Sequence, residues 1–147
     1  AMKLARLQGK RVYIDTNPFI YFVEGHAEFA GAVKPLFELI DQGVFTACTS
    51  HFTLTELLIK PYREGFTELI ADYQGLLVES EKVLLLAMQQ STFLQAAHLG
   101  GTQGLRTPDA LHVSTALEYS CDFFITNDRR IRSVGALEVL QLADWLA

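Results

Sequence analysis

Four carboxylates in this chain stand where acidic side chains can act together: Asp15, Glu56, Asp109 and Asp128. Asp15 closes the short apolar run Val12-Tyr13-Ile14, and Asp128 lies three residues beyond Ile125, at the end of the run Phe123-Phe124-Ile125. Glu56 falls in the first turns of a helical segment, and Asp109 follows Thr107-Pro108 at the start of another. Where strands and helices alternate, all four can project to one rim of a sheet. Crowded carboxylates repel, and without a counter-cation some take up protons or turn to solvent. A divalent cation resolves the conflict, and an oxygen-only donor set suits Mg2+ or Mn2+. Such an ion activates water and neutralises charge building on a phosphate, so phosphodiester hydrolysis is the reaction this set points to.

Each acid also has an ordinary reading. Asp15 begins a turn into Asn17-Pro18, Glu56 completes the capping-box pattern Thr53-Leu54-Thr55-Glu56, Asp109 complements a helix dipole, and Asp128 suits a turn. The chemical reading rests on their shared edge. Thr126 and Asn127 are polar neighbours of Asp128 that can position water or phosphate. His112 lies three residues after Asp109, where a packed, hydrogen-bonded histidine is the better reading, and His26, His51 and His98 show no metal-ligand spacing. Arg129, Arg130 and Arg132 follow Asp128, and Arg106 precedes Asp109; these four are the candidate contacts for nucleic-acid phosphates. Lys60 and Arg63 read rather as solvated surface.

The elements that must hold these residues are legible in outline. Strands are expected at 11–15, 44–49, 76–78, 122–126 and 137–140. Helices are expected from Asn17-Pro18 onward, with Asn17 as cap, then over 28–41 with Pro35 kinking or dividing it, and from Ser50 or Thr53 to near Pro61. Further helices are expected over 67–74, 81–99 and 107–119, with Thr107 as cap, and a short tail over 143–146. The glycine-rich segment 100–106 reads as a flexible loop. Short, nearly continuous apolar strands separated by helices imply an α/β fold, a parallel sheet covered on both faces. Ligands of such sheets bind beyond the carboxyl ends of the strands, which is where the four acids fall.

Composition bounds the rest. The 147 residues make one domain's worth, 1–147, and half of them are hydrophobic, which is ample for a core. A net charge of −5 argues against attachment to nucleic acid by bulk charge, but not against a local basic patch beside an acidic site. Cys48 and Cys121 form no CxxC pair and sit in apolar runs, so buried free thiols are expected. No apolar run approaches the ~20 residues of a membrane span. Ala1-Met2-Lys3 lacks a signal-peptide core, and Ala1 has the form of a cloning remnant. A reducing cytoplasm is the expected setting. A phosphoacceptor receiver would want adjacent acids after the first strand and a late lysine, and no lysine follows Lys82. A haloacid-dehalogenase-type phosphatase needs Asp-x-Asp, and Asp15-Thr16-Asn17 does not supply it.

Four segments carry a family resemblance: Val12-Tyr13-Ile14-Asp15-Thr16-Asn17, Thr53-Leu54-Thr55-Glu56-Leu57-Leu58, Thr107-Pro108-Asp109-Ala110-Leu111-His112, and Phe124-Ile125-Thr126-Asn127-Asp128-Arg129-Arg130. Each is weak alone, but in this order they resemble the PIN-domain family and, within it, VapC-like toxins of toxin–antitoxin pairs. The resemblance extends over about residues 11–142. It implies a PIN-like three-layer sandwich around a parallel sheet of order 3-2-1-4-5. It implies Mg2+- or Mn2+-dependent cleavage of RNA, with Asp15, Glu56, Asp109 and Asp128 as the acidic quartet. The metal would be held by Asp15, Asp109 and Asp128, with Glu56 directly or through water, and Thr126 is the hydroxyl beside the last acid. A homodimer and a small antitoxin partner are implied as well. The alternatives are a non-catalytic scaffold binding RNA or a protein through the same fold, and a housekeeping RNA-processing nuclease.

Overall fold

The computed structural model describes residues 2–145. In chain order it forms α1 (Met2–Ala5), β1 (Arg11–Ile14), α2 (Thr16–Glu24), α3 (Ala30–Gln42), β2 (Thr46–Ser50), α4 (His51–Glu64) and α5 (Thr67–Gln74). Then follow β3 (Leu84–Leu86), α6 (Gln90–Gln103), α7 (Thr107–Glu118), β4 (Phe123–Thr126), β5 (Glu138–Gln141) and a 3-10 turn (Leu142–Trp145). The sheet has five strands in the order β3-β2-β1-β4-β5, and every pairing is parallel. The expected α/β class and strand order are therefore those of the molecule.

Side chains on a strand alternate between faces, and the two cores follow that alternation. Val12 and Ile14 of β1, with Phe123 and Ile125 of β4, pack on the side that carries Phe19 of α2, Val33, Leu36 and Phe37 of α3, and Leu57 of α4. Tyr13 and Phe124 point the other way, onto Leu99 of α6 and Val113 and Ala116 of α7. Helices thus cover both faces, giving three layers.

Several boundaries differ from the sequence expectation for physical reasons. Asp15, not Asn17, caps α2: its extended backbone (ψ 172°) and carboxylate serve Thr16 N, while Asn17 lies within the helix. Pro35 does not divide α3. Pro61 does not end α4; the helix runs on to Gly65, whose φ of 71° closes it at little cost to glycine. Arg106 rather than Thr107 occupies the cap position of α7. The segment 76–78 is no strand: it lies in a wide helical turn, Gly75–Glu79, continuing α5. The third strand is instead Leu84–Leu86, inside the stretch expected to be helix, registered on β2 as Cys48↔Leu84 and Ser50↔Leu86. Leucine favours helix, but Glu81 sits at φ 58°, where no helix continues, and pairing with β2 decides the rest. The true helix start is the capping box of Gln89 and Thr92. The expected loop 100–106 is mostly the end of α6, with only 104–106 outside a helix.

Cys48 and Cys121 are free and buried, as expected, with their sulfurs 3.5 Å apart. One rides on β2 and the other precedes β4, so β1 runs between their segments. Among the described residues, no helix is long and apolar enough to cross a membrane.

Candidate active site

The carboxyl ends of β1, the central strand, and of β4 beside it supply the inner part of the site. Asp15 follows β1 directly and is only 5% exposed. Its Oδ1 accepts from the backbone N–H of Thr16 at 2.8 Å, and its Oδ2 accepts from Thr126 Oγ1, at the end of β4, at 2.6 Å. The Thr126 hydroxyl also accepts from Asp128 N at 3.1 Å, so one oxygen ties two of the acids together. Burial pushes the Asp15 carboxyl above its usual range, against the pull of His112, Thr126 and Thr16; the charge of Asp109 pushes the same way as burial.

Glu56 comes in from α4. It is the sixth residue of that helix, too deep to be a cap, which excludes the capping-box reading. Its Oε1 accepts from Thr16 Oγ1 at 2.6 Å and lies 2.6 Å from His112 Nε2. Burial alone would raise the Glu56 carboxyl; the hydrogen bond and charge of His112, with Thr16, outweigh it and hold the group below its usual value. His112 itself is buried on α7, with Nε2 3.8 Å from Asp15 Oδ1. Burial opposes its protonation, but the Glu56 hydrogen bond and the charges of Asp15, Glu56 and Asp109 prevail and raise its pKa.

Asp109 and Asp128 form the outer part. Asp109 sits in the first turn of α7, 7% exposed, with Oδ2 3.2 Å from Arg106 Nε. The same guanidinium reaches Asp128 Oδ2 at 3.4 Å. Arg130 grips Asp128 with both Nε and a terminal nitrogen, at 3.0 and 2.9 Å. That grip, more than any other contact, holds the Asp128 carboxyl below its usual value. Gly104, at φ 70°, closes α6 and turns the chain so that Arg106 precedes α7 at this point.

The structure therefore brings Asp15, Glu56, Asp109, Asp128 and Thr126 to one rim, with Arg106 and Arg130 among them. Arg129 pairs instead with Asp144 at 2.9 Å, and Arg132 is exposed. Asn127 turns to α2, where its N–H meets Asn17 Oδ1 and its amide meets the Tyr21 hydroxyl. Sequence reasoning missed Thr16 and Tyr13, whose hydroxyls belong to the network, and saw His112 as a packed residue without its carboxylate partner. A hydroxyl directly after the strand-ending acid is the signal that could have found Thr16.

As these side chains stand, no three acidic, histidine or cysteine groups among the described residues converge on a point that holds an ion. The donor chemistry nonetheless fits a hard cation. All four acids offer oxygen, and Mg2+ takes only one or two carboxylates and fills the remainder with water. A cationic group, the Arg106 guanidinium, already bridges Asp109 and Asp128. A concavity of about 690 Å3 by β3 and the amino end of β2 contains none of these residues.

Comparison with known proteins agrees with this architecture. No curated protein matches the sequence significantly. Among solved structures, the chain is similar to one chain of a toxin–antitoxin complex from Klebsiella pneumoniae, at 16% identity and TM-score 0.66, over 86% of this chain and 94% of that one. It is also similar to a chain of DNA-bound VapBC from Salmonella typhimurium, at 16% identity and TM-score 0.65, over 90% and 98%. A third match, VapBC2 of Rickettsia felis bound to a promoter DNA fragment, has 16% identity and TM-score 0.64, over 89% and 98%. At such identity the likeness is one of fold. The PIN domain family model matches residues 12–137, which takes in all four acids, and the chain belongs to the PIN domain family.

Proposed function

We propose that this protein is a metal-dependent endoribonuclease of the VapC toxin type, acting on RNA and held in check by a small antitoxin. The observation that carries the reading is the meeting of Asp15, Glu56, Asp109 and Asp128 on one rim, although they come from four separate segments. The toxin assignment draws on the shared fold with chains of toxin–antitoxin complexes, and a homodimer is part of the same reading.

Asp15, Asp109 and Asp128 would hold Mg2+ or Mn2+, with Glu56 directly or through water. Once bound, the ion supplies water activation and neutralises charge developing on the phosphate. The chain's own residues do the remainder. Thr126 and the Thr16 N–H fix both oxygens of Asp15, so its direction is set before substrate arrives. Arg106 and Arg130, each more than half exposed, are the cations at the rim that can meet an RNA phosphate. Arg129 and Arg132 lie further out and can add only diffuse attraction.

The test is incubation of the purified protein with mixed RNA in Mn2+, in Mg2+ and in EDTA, beside Asp15→Asn. Metal-dependent cleavage lost in the variant supports the reading. Absence of cleavage together with absence of Mn2+ binding by calorimetry overturns it in favour of a non-catalytic scaffold.

A further inference from the structure

His112 is the buried imidazole of the molecule; His26, His51 and His98 are all exposed. Its surroundings do more than fill space. Behind it, in the middle of β1, Tyr13 is fully buried and stacked flat on Phe124, with ring centres 5.1 Å apart at 4°. The Tyr13 hydroxyl meets His112 Nδ1 at 2.7 Å. In front, Nε2 meets Glu56 Oε1 at 2.6 Å. Phe52 of α4 packs against the imidazole at 5.3 Å, so the ring is held on its flanks as well.

We propose that Tyr13 and His112 form a positioning pair for Glu56, so that a phenol buried inside the sheet sets the direction of a carboxylate at its rim. The argument rests on which atoms can carry hydrogen. Tyr13 is fully buried and an ordinary phenol loses its proton only at about pH 10, so it keeps its proton at neutral pH. Against a neutral imidazole the phenol donates to Nδ1, and the ring's own proton must then sit on Nε2. In the imidazolium form both nitrogens carry protons and the phenol oxygen accepts. Either way Nε2–H donates to Glu56. The remaining tautomer would set a lone pair against a carboxylate at 2.6 Å, and it is excluded.

Glu56 is a long side chain with three torsions to fix, and here two donors share the task. His112 and Thr16 both converge on Oε1, which leaves Oε2 as the oxygen outside this network. A packed histidine whose only role was to satisfy its own nitrogens would need no such convergence. Partners of this kind behind a working carboxylate or ligand set activity and metal affinity by about 10- to 100-fold.

The inference rests on the nuclease reading only where Glu56 is taken as a working group, and its test separates the two. Nitrogen-15 NMR of the histidine rings is recorded for the wild type, Tyr13→Phe and Glu56→Gln. Mn2+ affinity by calorimetry and RNA cleavage are measured on the same proteins and on Tyr13→Phe/Glu56→Gln. Tyr13→Phe keeps the stack on Phe124 and removes only the hydroxyl; if that variant does not fold, His112→Asn takes its place in the Mn2+-affinity and cleavage arms, and the wild-type ring signals alone decide the Nε2 proton. Expected are a protonated Nε2 in the wild type, a changed Nδ1 signal in Tyr13→Phe, and about tenfold weaker cleavage through kcat or weaker Mn2+ binding. The double variant should be no worse than Glu56→Gln alone. An unprotonated Nε2, or a Tyr13→Phe protein with wild-type ring signals and wild-type Mn2+ affinity, overturns the pairing. If the wild type cleaves no RNA, the nuclease reading is the one in trouble, and the NMR signals still decide the pairing.

Discussion

The two halves of the acidic rim are held in different ways. Thr126 meets Asp15 and His112 meets Glu56 across short hydrogen bonds of 2.6 Å, and Thr16 joins the two pairs. Asp109 and Asp128 face Arg106 and Arg130, whose side chains are 58% and 62% exposed. Ion pairs whose cation stands in solvent are weakened by salt, and fully exposed ones contribute only about 0–1 kcal/mol. Buried hydrogen bonds to a charged group are worth about 1.5–3 kcal/mol, and breaking one leaves a partner stranded. The inner half is therefore geometry set by folding, and the outer half is charge that can be exchanged for another cation or for a phosphate.

The largest effect expected tests the inner half as chemistry. Asp15→Asn should cut RNA cleavage by roughly two orders of magnitude, the scale of losing one preorganised electrostatic contact. It should not lower the melting temperature at neutral pH. The folded pKa of Asp15 lies above its unfolded value of about 3.9, so the fold binds that proton more tightly. Stability drains as pH rises from the unfolded value through the folded one, and the charged Asp15 is a cost at neutral pH. Thermal melts from pH 3 to 8 should show that dependence flattened in the variant. A variant that melts earlier at pH 7 would mean that the inner half is held by that charge rather than burdened by it.

His112→Gln comes next, as a test of the inner half as structure. It should cost about 2–3 kcal/mol in urea unfolding, because Glu56 and Tyr13 lose their shared partner. The folded pKa of His112 is raised, so the charge contribution is complete below its unfolded value near 6.5 and is lost as pH rises through the folded value. The gap between wild type and variant should narrow over that window. A gap independent of pH would make the contact a neutral hydrogen bond only.

The outer half should respond more to salt than to denaturant. Arg130→Gln should change stability by less than about 1 kcal/mol, and Arg106→Gln by more than that, because it leaves the buried Asp109 carboxylate without its cation. Each should reduce the slope of log affinity for single-stranded RNA against log salt by about 0.7, read by fluorescence anisotropy. The smallest effect belongs to Arg129→Gln, since that side chain is turned to Asp144; a slope change as large as that of Arg106 would enlarge the RNA face beyond the rim.

Much of this was legible in the sequence, because three of the four acids sit at local landmarks, while Glu56 lies well inside its helix. Asp15 ends a strand, Asp109 follows a Thr-Pro helix start, and Asp128 leaves a strand. The partners behind them were not legible. Tyr13 meets His112 across 99 residues and His112 meets Glu56 across 56, and no local pattern encodes contacts of that span. The third strand was lost for a different reason. Its three leucines form a short edge strand of residues with helical preference, and only pairing to β2 makes it a strand. The cap of α2 was missed by two residues, since Asp15 and Asn17 are equally good cap types and the backbone alone chooses between them.

The two cysteines give the molecule a clock. Their sulfurs face each other in the core between the sheet and the helices α6 and α7, so a reagent that modifies only accessible thiols must wait for that layer to lift. Labelling then counts openings between the sheet and α7, the helix that carries Asp109 and His112 to their places. A ligand that fastens the acids from outside should slow that clock from within.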